Sequence, residues 1–295
     1  MIFIFTVKTM WILMLVLGLI FGSLGSVVIT RFSDGVNRHK VRGFFIGYSQ
    51  CPQCQHRLYA KDLVPVISYL FQGGKCDYCN KKIPRIYPVL ELLSAGIFVA
   101  TYFLLSEFGT SLLIFGLLIN RLLLLLLVYD FQKYELHTIV RILLIVVGIL
   151  TNIFLPEGNF VYALLSAIVF GVVFTAIYFF ARRYTNMRFK QPMDGFGQGD
   201  VYLAISIGIF VPLILSLSGI PFSGWTLVNV LILFILLSSI LGLIQSAFQY
   251  ILHVKFNFQN LKLHIVPFFP AMIIAFWLIT WQVTFFISLL FPLAG

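Results

Sequence analysis

Charge is what this sequence has least of. Only 10% of its 295 residues are charged, and only ten are acidic. Soluble domains carry about 25% charged residues. Hydrophobic residues make up 60% and mean hydropathy is +1.01. Such a chain cannot cover itself with a polar surface, which excludes a water-soluble globule and makes lipid its main solvent. Cysteine is scarce too. All four lie within 31–87, which excludes a disulfide-dense secreted scaffold. That loop also has no glycine-rich nucleotide cradle.

What is abundant is apolar sequence in long runs. They fall at 10–30, 88–106, 111–129, 138–155, 160–181, 201–217, 225–250 and 266–291. Each approaches or exceeds the ~17–20 residues that cross a hydrocarbon core as a helix. Helix is required because lipid offers backbone groups no partner. The fold expected is an all-α polytopic membrane protein with about eight transmembrane helices. Pro212 interrupts the run 201–217. The first run reads as a retained helix and not a cleaved signal, because its positive charges (Arg31, Arg38, Lys40, Arg42) follow the apolar stretch.

Lys and Arg set the orientation. With the N-terminus outside, the cytoplasmic stretches are 31–87, 130–137, 182–200 and 251–265. With near-flanking residues these hold 18 of the 20 basic residues. Lys8 lies outside, and Arg121 lies within a span. Topology and contact with anionic membrane lipid thus explain the net charge of +10 without a nucleic-acid partner.

The loop 31–87 carries Cys51-Pro-Gln-Cys54 and Cys76-Asp-Tyr-Cys79, with 21 residues between the pairs. Two such knuckles suit a tetrahedral zinc site built from four cysteines. Disulfides or free thiols are the alternatives, and a reducing cytosol disfavours the first. Four thiolates leave no open position, so the zinc would be structural and would supply folding energy to a loop with little core. His39 and His56 are read as solvated. The division expected is a first transmembrane helix over 1–30, a cytoplasmic zinc-binding domain over 31–87, and a membrane-embedded domain over 88–295.

Three acids, Glu91, Asp130 and Asp200, lie inside or at the edge of apolar runs. A carboxylate there needs a partner, water or a function. Each can be an interfacial cap, and Asp200 is an N-cap candidate. Asp200 follows Gly195-Phe-Gly-Gln-Gly199, whose backbone is free to approach another chain closely. Asp130 and Asp200 fall at the same depth on helices entering from the same side. Two carboxylates that meet can share one proton and divide the work of general base and electrophile.

At these residues the chain resembles the type IV prepilin peptidases. Gly22-Ser-Leu-Gly-Ser-Val-Val-Ile-Thr-Arg31, Ser49-Gln-Cys-Pro-Gln-Cys54, Gly74-Lys-Cys-Asp-Tyr-Cys79, Tyr87-Pro-Val-Leu-Glu91, Gly197-Gln-Gly-Asp200 and Val266-Pro-Phe-Phe-Pro270 follow the family's motifs in order. The resemblance implies an aspartic endopeptidase of the plasma membrane with Asp130 and Asp200 as its catalytic pair. Its partners would be type IV pilin-like precursors, cut at the cytoplasmic face. Many members also N-methylate the new N-terminus with S-adenosylmethionine. Glu91 is expected to position or pack, and His137 is a weaker candidate for tuning Asp130.

The departures are specific. Leu136-His137-Thr138 stands where the family has Leu-Pro-Asp, and Tyr202 where it has Lys. A lost Lys removes a charge that could hold one aspartate ionised. Two other readings compete: a catalytically impaired scaffold, and a proton-coupled transporter, which would call for broken helices and paired repeats. Reporter fusions after Ala60, Lys190 and Asn260 should all report cytoplasm. An external signal from any of them would break the orientation that puts both aspartates on one side.

Overall fold

The computed structural model describes residues 2–31, 48–133, 138–189, 197–251 and 268–290. His39, His137, Gly195 and the Val266-Pro267 dipeptide, named above, lie outside the described residues. Every apolar run forms a helix. In chain order they are α1 (Ile2–Arg31), α3 (Ile86–Leu105), α4 (Thr110–Lys133), α5 (Thr138–Phe154), α6 (Phe160–Phe189), α7 (Gln198–Leu217), α8 (Gly224–Ile251) and α9 (Phe269–Leu290), with a short α2 (Ile67–Phe71) in the Cys-bearing loop. Among the described residues, six helices are long and apolar enough to cross a membrane, while α5 and the stretch Phe269–Trp281 of α9 count as shorter apolar helices. No strand forms among the described residues beyond two isolated bridges. The chain divides into two units, 1–128 and 129–295.

In the first unit α1 packs on α3 through glycine. A Cβ at Gly18 would stand 2.6 Å from the Ala95 Cα, and one at Gly22 2.5 Å from the Glu91 Cα. Small residues four apart let two membrane helices touch backbone to backbone. A Cβ at Gly25 would strike the Arg121 guanidinium. Arg121 is buried against α1, and its Nη1 has no hydrogen-bond partner among the described residues. The α3–α4 pair is joined by the Asn120 amide, which donates to Thr101 Oγ1 at 2.9 Å.

In the second unit α7 is the central helix, packed by α5, α6 and α9. Gly208 allows its close approach to α6, since a Cβ there would lie 2.8 Å from the Ser166 carbonyl oxygen. Pro212 does not end the helix, which runs on to Leu217. A proline frees a carbonyl one turn back, and buried neighbours can re-satisfy the local backbone. The Asn152 amide of α5 donates to the Ile209 carbonyl at 3.0 Å, beside the Gly208 carbonyl that Pro212 leaves without its helical N–H.

Candidate functional site

The aspartates sit at helix ends and both are buried, each 7% exposed. Asp130 lies near the end of α4, three residues before Lys133, and its Oδ2 has no hydrogen-bond partner among the described residues. Asp200 is in the first turn of α7. It is not the N-cap that the sequence offers as one reading, because Gly197 takes that position. Asp200 instead reaches back from the third helical position, and its Oδ2 accepts the Gly197 N–H at 3.0 Å. This is the acidic half of a capping box, with glycine where a hydroxyl residue usually stands. The glycine leaves open space: the nearest atom a Cβ at Gly197 would meet is Asp200 Oδ2 itself, at 3.5 Å. Within the second unit, Asp130 lies within electrostatic reach of Asp200.

Tyr202, two residues after Asp200, carries a cation that the sequence did not reveal. The Arg141 guanidinium of α5 lies 4.2 Å from the centre of its ring. A cation over an aromatic face is attracted by the ring quadrupole. No spacing rule would pair these residues, which are far apart in the chain.

The second constellation is the four cysteines, whose Sγ atoms all lie within 4.8 Å of one another. Cys51 and Cys79 sulfurs are 3.9 Å apart. A tetrahedron with metal–sulfur bonds of ~2.3 Å has edges of about 3.8 Å, so the sulfurs fit a tetrahedral metal ion. The two knuckles are copies of one another. The Cys51 N–H donates to the His56 carbonyl and the Gln55 N–H to the Cys51 carbonyl; the Cys76 N–H donates to the Lys81 carbonyl and the Asn80 N–H to the Cys76 carbonyl. Bridges close each knuckle at Gln50–Arg57 and Lys75–Lys82. The residue after the second cysteine is left-handed in both, with φ 56° at Gln55 and 55° at Asn80.

The shared site polarises its thiols. Burial pushes the Cys51 thiol up, but the backbone groups of Cys54 and Gln53 and the thiols of Cys54 and Cys76 outweigh it and bring it down to about 7. The Lys81 backbone pulls Cys79 down, yet burial and the other three thiols push it up to about 11. His56 is exposed, as expected, and stands outside the cluster; its ring stacks on Tyr78 with centroids 3.7 Å apart, joining one knuckle to the other.

Glu91 belongs to neither site. Its Oε2 accepts the Val66 N–H at 2.7 Å, and the Ser23 side chain of α1 bonds the same carboxylate. It fastens the Cys-bearing loop to α1 and α3.

These features define a class: a multi-pass membrane protein with two buried aspartates at helix ends and a pair of cysteine knuckles able to hold a metal ion. Comparison with known proteins narrows it. Residues 16–105 match the bacterial peptidase A24 N-terminal domain, and residues 117–247 match the type IV leader peptidase family. The prepilin leader peptidase/N-methyltransferase of Vibrio cholerae is 30% identical over 222 residues, covering 72% of this chain and 85% of the relative. That of Stutzerimonas stutzeri is 29% identical over 286 residues, covering 89% and 87%. That of Pseudomonas aeruginosa is 27% identical, covering 90% and 87%. This chain belongs to the type IV leader peptidase family and is a multi-pass protein of the inner membrane. No solved structure matches it significantly.

Metal analysis of purified protein should find about one ion per chain. Replacing Cys51 and Cys54 together by Ser should remove it and lower the melting temperature. A stable, metal-free wild-type preparation would contradict the site.

Proposed function

We propose that this protein is a prepilin leader peptidase that cuts the leader from type IV pilin-like precursors at the cytoplasmic membrane face, with Asp130 and Asp200 as its catalytic residues. The observation that supports this reading is a pair of buried carboxyls at helix ends within electrostatic reach of one another, one with an oxygen that has no partner among the described residues. Like charges at close range cannot both ionise, so the pair holds one proton between them. The ionised member takes a proton from water as the water oxygen attacks the scissile carbonyl. The protonated member donates to that carbonyl oxygen as charge builds on it. Collapse of the tetrahedral species breaks the C–N bond, and the amine leaves with a proton returned from the pair.

The N-terminus lies outside in this reading, and the Cys domain and aspartates face the cytosol, as the basic loops favour. A precursor's apolar helix can then rest in lipid beside the enzyme while its leader stays in the cytosol. The parts are a first helix over 1–30, a zinc domain over 31–87 and a peptidase domain over 88–295. Zinc is the metal inferred for Cys51, Cys54, Cys76 and Cys79, with a structural role, because four thiolates close its coordination.

The relatives' names pair the peptidase with an N-methyltransferase. On that ground N-methylation of the new amine is the second activity, with S-adenosylmethionine supplying the methyl group. The described residues of the Cys domain contain no glycine-rich strand-to-helix cradle for a nucleotide, and no step is assigned to them.

Purified protein incubated with a pilin-like precursor should release an intact leader, read by mass spectrometry. Asp130→Asn and Asp200→Asn should each reduce cleavage at least ~10³-fold while the protein still inserts and keeps its metal. Glu91→Gln should retain measurable cleavage. Wild-type cleavage by Asp200→Asn would return the protein to the scaffold or transporter readings.

A further inference from the structure

The short helix α2 exposes apolar side chains that water would not favour. Phe71 is 89% exposed, Leu70 69% and Ile67 50%, and the preceding Leu63 and Val64 are each 40%. A contiguous apolar patch of this kind marks an interaction surface. Two observations fix what faces it.

The first is depth. Val66, one residue before α2, is tied by its N–H to Glu91 at 2.7 Å. Glu91 lies five residues beyond Ile86, the start of α3, or about 7.5 Å along the helix. Helical side chains lean toward the N-terminus, which returns the carboxylate toward the helix entry. Since α3 is a membrane-spanning helix, its first turns cross the boundary of headgroups and acyl chains. The chain at Val66 is therefore at that boundary. It also turns sharply there: the Ile67 N–H donates to the Pro65 carbonyl at 2.6 Å, with Val66 at φ 61°. A β-branched residue in such a γ-turn is strained and persists only when held. Glu91 holds it, so α2 is launched at interface depth.

The second is charge. Tyr69 of α2 lines an open cleft with Gly73, Gly74, Lys75, Lys82 and Arg85, and no carboxylate lines it among the described residues. Lys75 and Lys82 face each other across the bridge that closes their knuckle. Like charges directly opposite repel unless an anion lies between them. Arg85 immediately precedes α3, so the cleft opens where that helix enters the bilayer.

We propose that α2 and this cleft form a foot that stands in the bilayer interface. Ile67, Leu70 and Phe71 enter the headgroup–acyl boundary, while Lys75, Lys82 and Arg85 hold the phosphate of a phospholipid headgroup. Apolar burial and cationic contact act together, as in interfacial helices. The foot fixes the Cys domain against the membrane surface independently of the peptidase chemistry.

The test uses the full chain in nanodiscs of mixed phosphatidylcholine and phosphatidylglycerol, with the photoreactive residue benzoylphenylalanine replacing Phe71. Illumination should yield lipid adducts at that position, enriched several-fold in phosphatidylglycerol over the bilayer ratio. Lys75→Gln/Lys82→Gln/Arg85→Gln should reduce the ratio to that of the bilayer while metal content stays unchanged. Lys75→Arg/Lys82→Arg should retain the enrichment. Millimolar inorganic phosphate should leave it intact; loss of enrichment would make the cleft a free-phosphate site and overturn the lipid assignment. Absence of lipid adducts at position 71, or equal ratios in the wild type and the Gln variant, would overturn the proposal.

Discussion

In hydrocarbon an unpaired peptide group costs several kcal/mol, and nothing in the solvent can repair it. The helical form of this protein follows from that cost, and so does the treatment of its polar side chains. Hydroxyls turn back onto their own helix, as Thr101 does to Ile97, Ser206 to Tyr202 and Ser238 to Phe234. Amides cross between helices, as Asn120 does to Thr101 and Asn152 to Ile209. Glycines at 18, 22 and 208 bring backbones into contact where apolar attraction between helices is weak. Against this background, a few buried polar atoms, Arg121 Nη1 and Asp130 Oδ2 among them, have no partner among the described residues, and the proposed chemistry uses the Asp130 oxygen.

The Cys domain solves a different problem. It lies outside the apolar helices and has little core, so two copied knuckles, with the metal ion proposed for them, would take the place of hydrophobic burial. Glu91 then carries the mechanical link, joining that domain's γ-turn to α1 and α3 with one carboxylate. A charged residue in an apolar helix is thereby accounted for without a catalytic role.

How much of this the sequence disclosed depends on the range of the interaction. All eight apolar runs are helices because hydropathy over twenty residues is a local property. The knuckles were legible because the ligands of each pair are close in sequence. The run interrupted by Pro212 is still a helix, continuous to Leu217, with Asn152 of another helix donating to the neighbouring Ile209 carbonyl. Asp200 was legible as a residue at a helix start, but its place at the third position rather than the cap depended on Gly197 taking an extended backbone. The Val66 γ-turn, the His56–Tyr78 stack and the Arg141–Tyr202 pair left no local trace. Tyr202 read alone was a lost charge; beside Arg141 it is a platform for one.

The central claim is that Asp130 and Asp200 act as one proton-sharing unit, and non-additivity tests it most directly. Single-turnover cleavage of one pilin-like precursor would be followed with the wild type, Asp130→Asn, Asp200→Asn and the double variant, all in the same lipid. If the pair is one unit, the double variant is no slower than the slower single, because either change already removes the shared proton. Losses that multiply, or a single variant that keeps the wild-type rate, would contradict it.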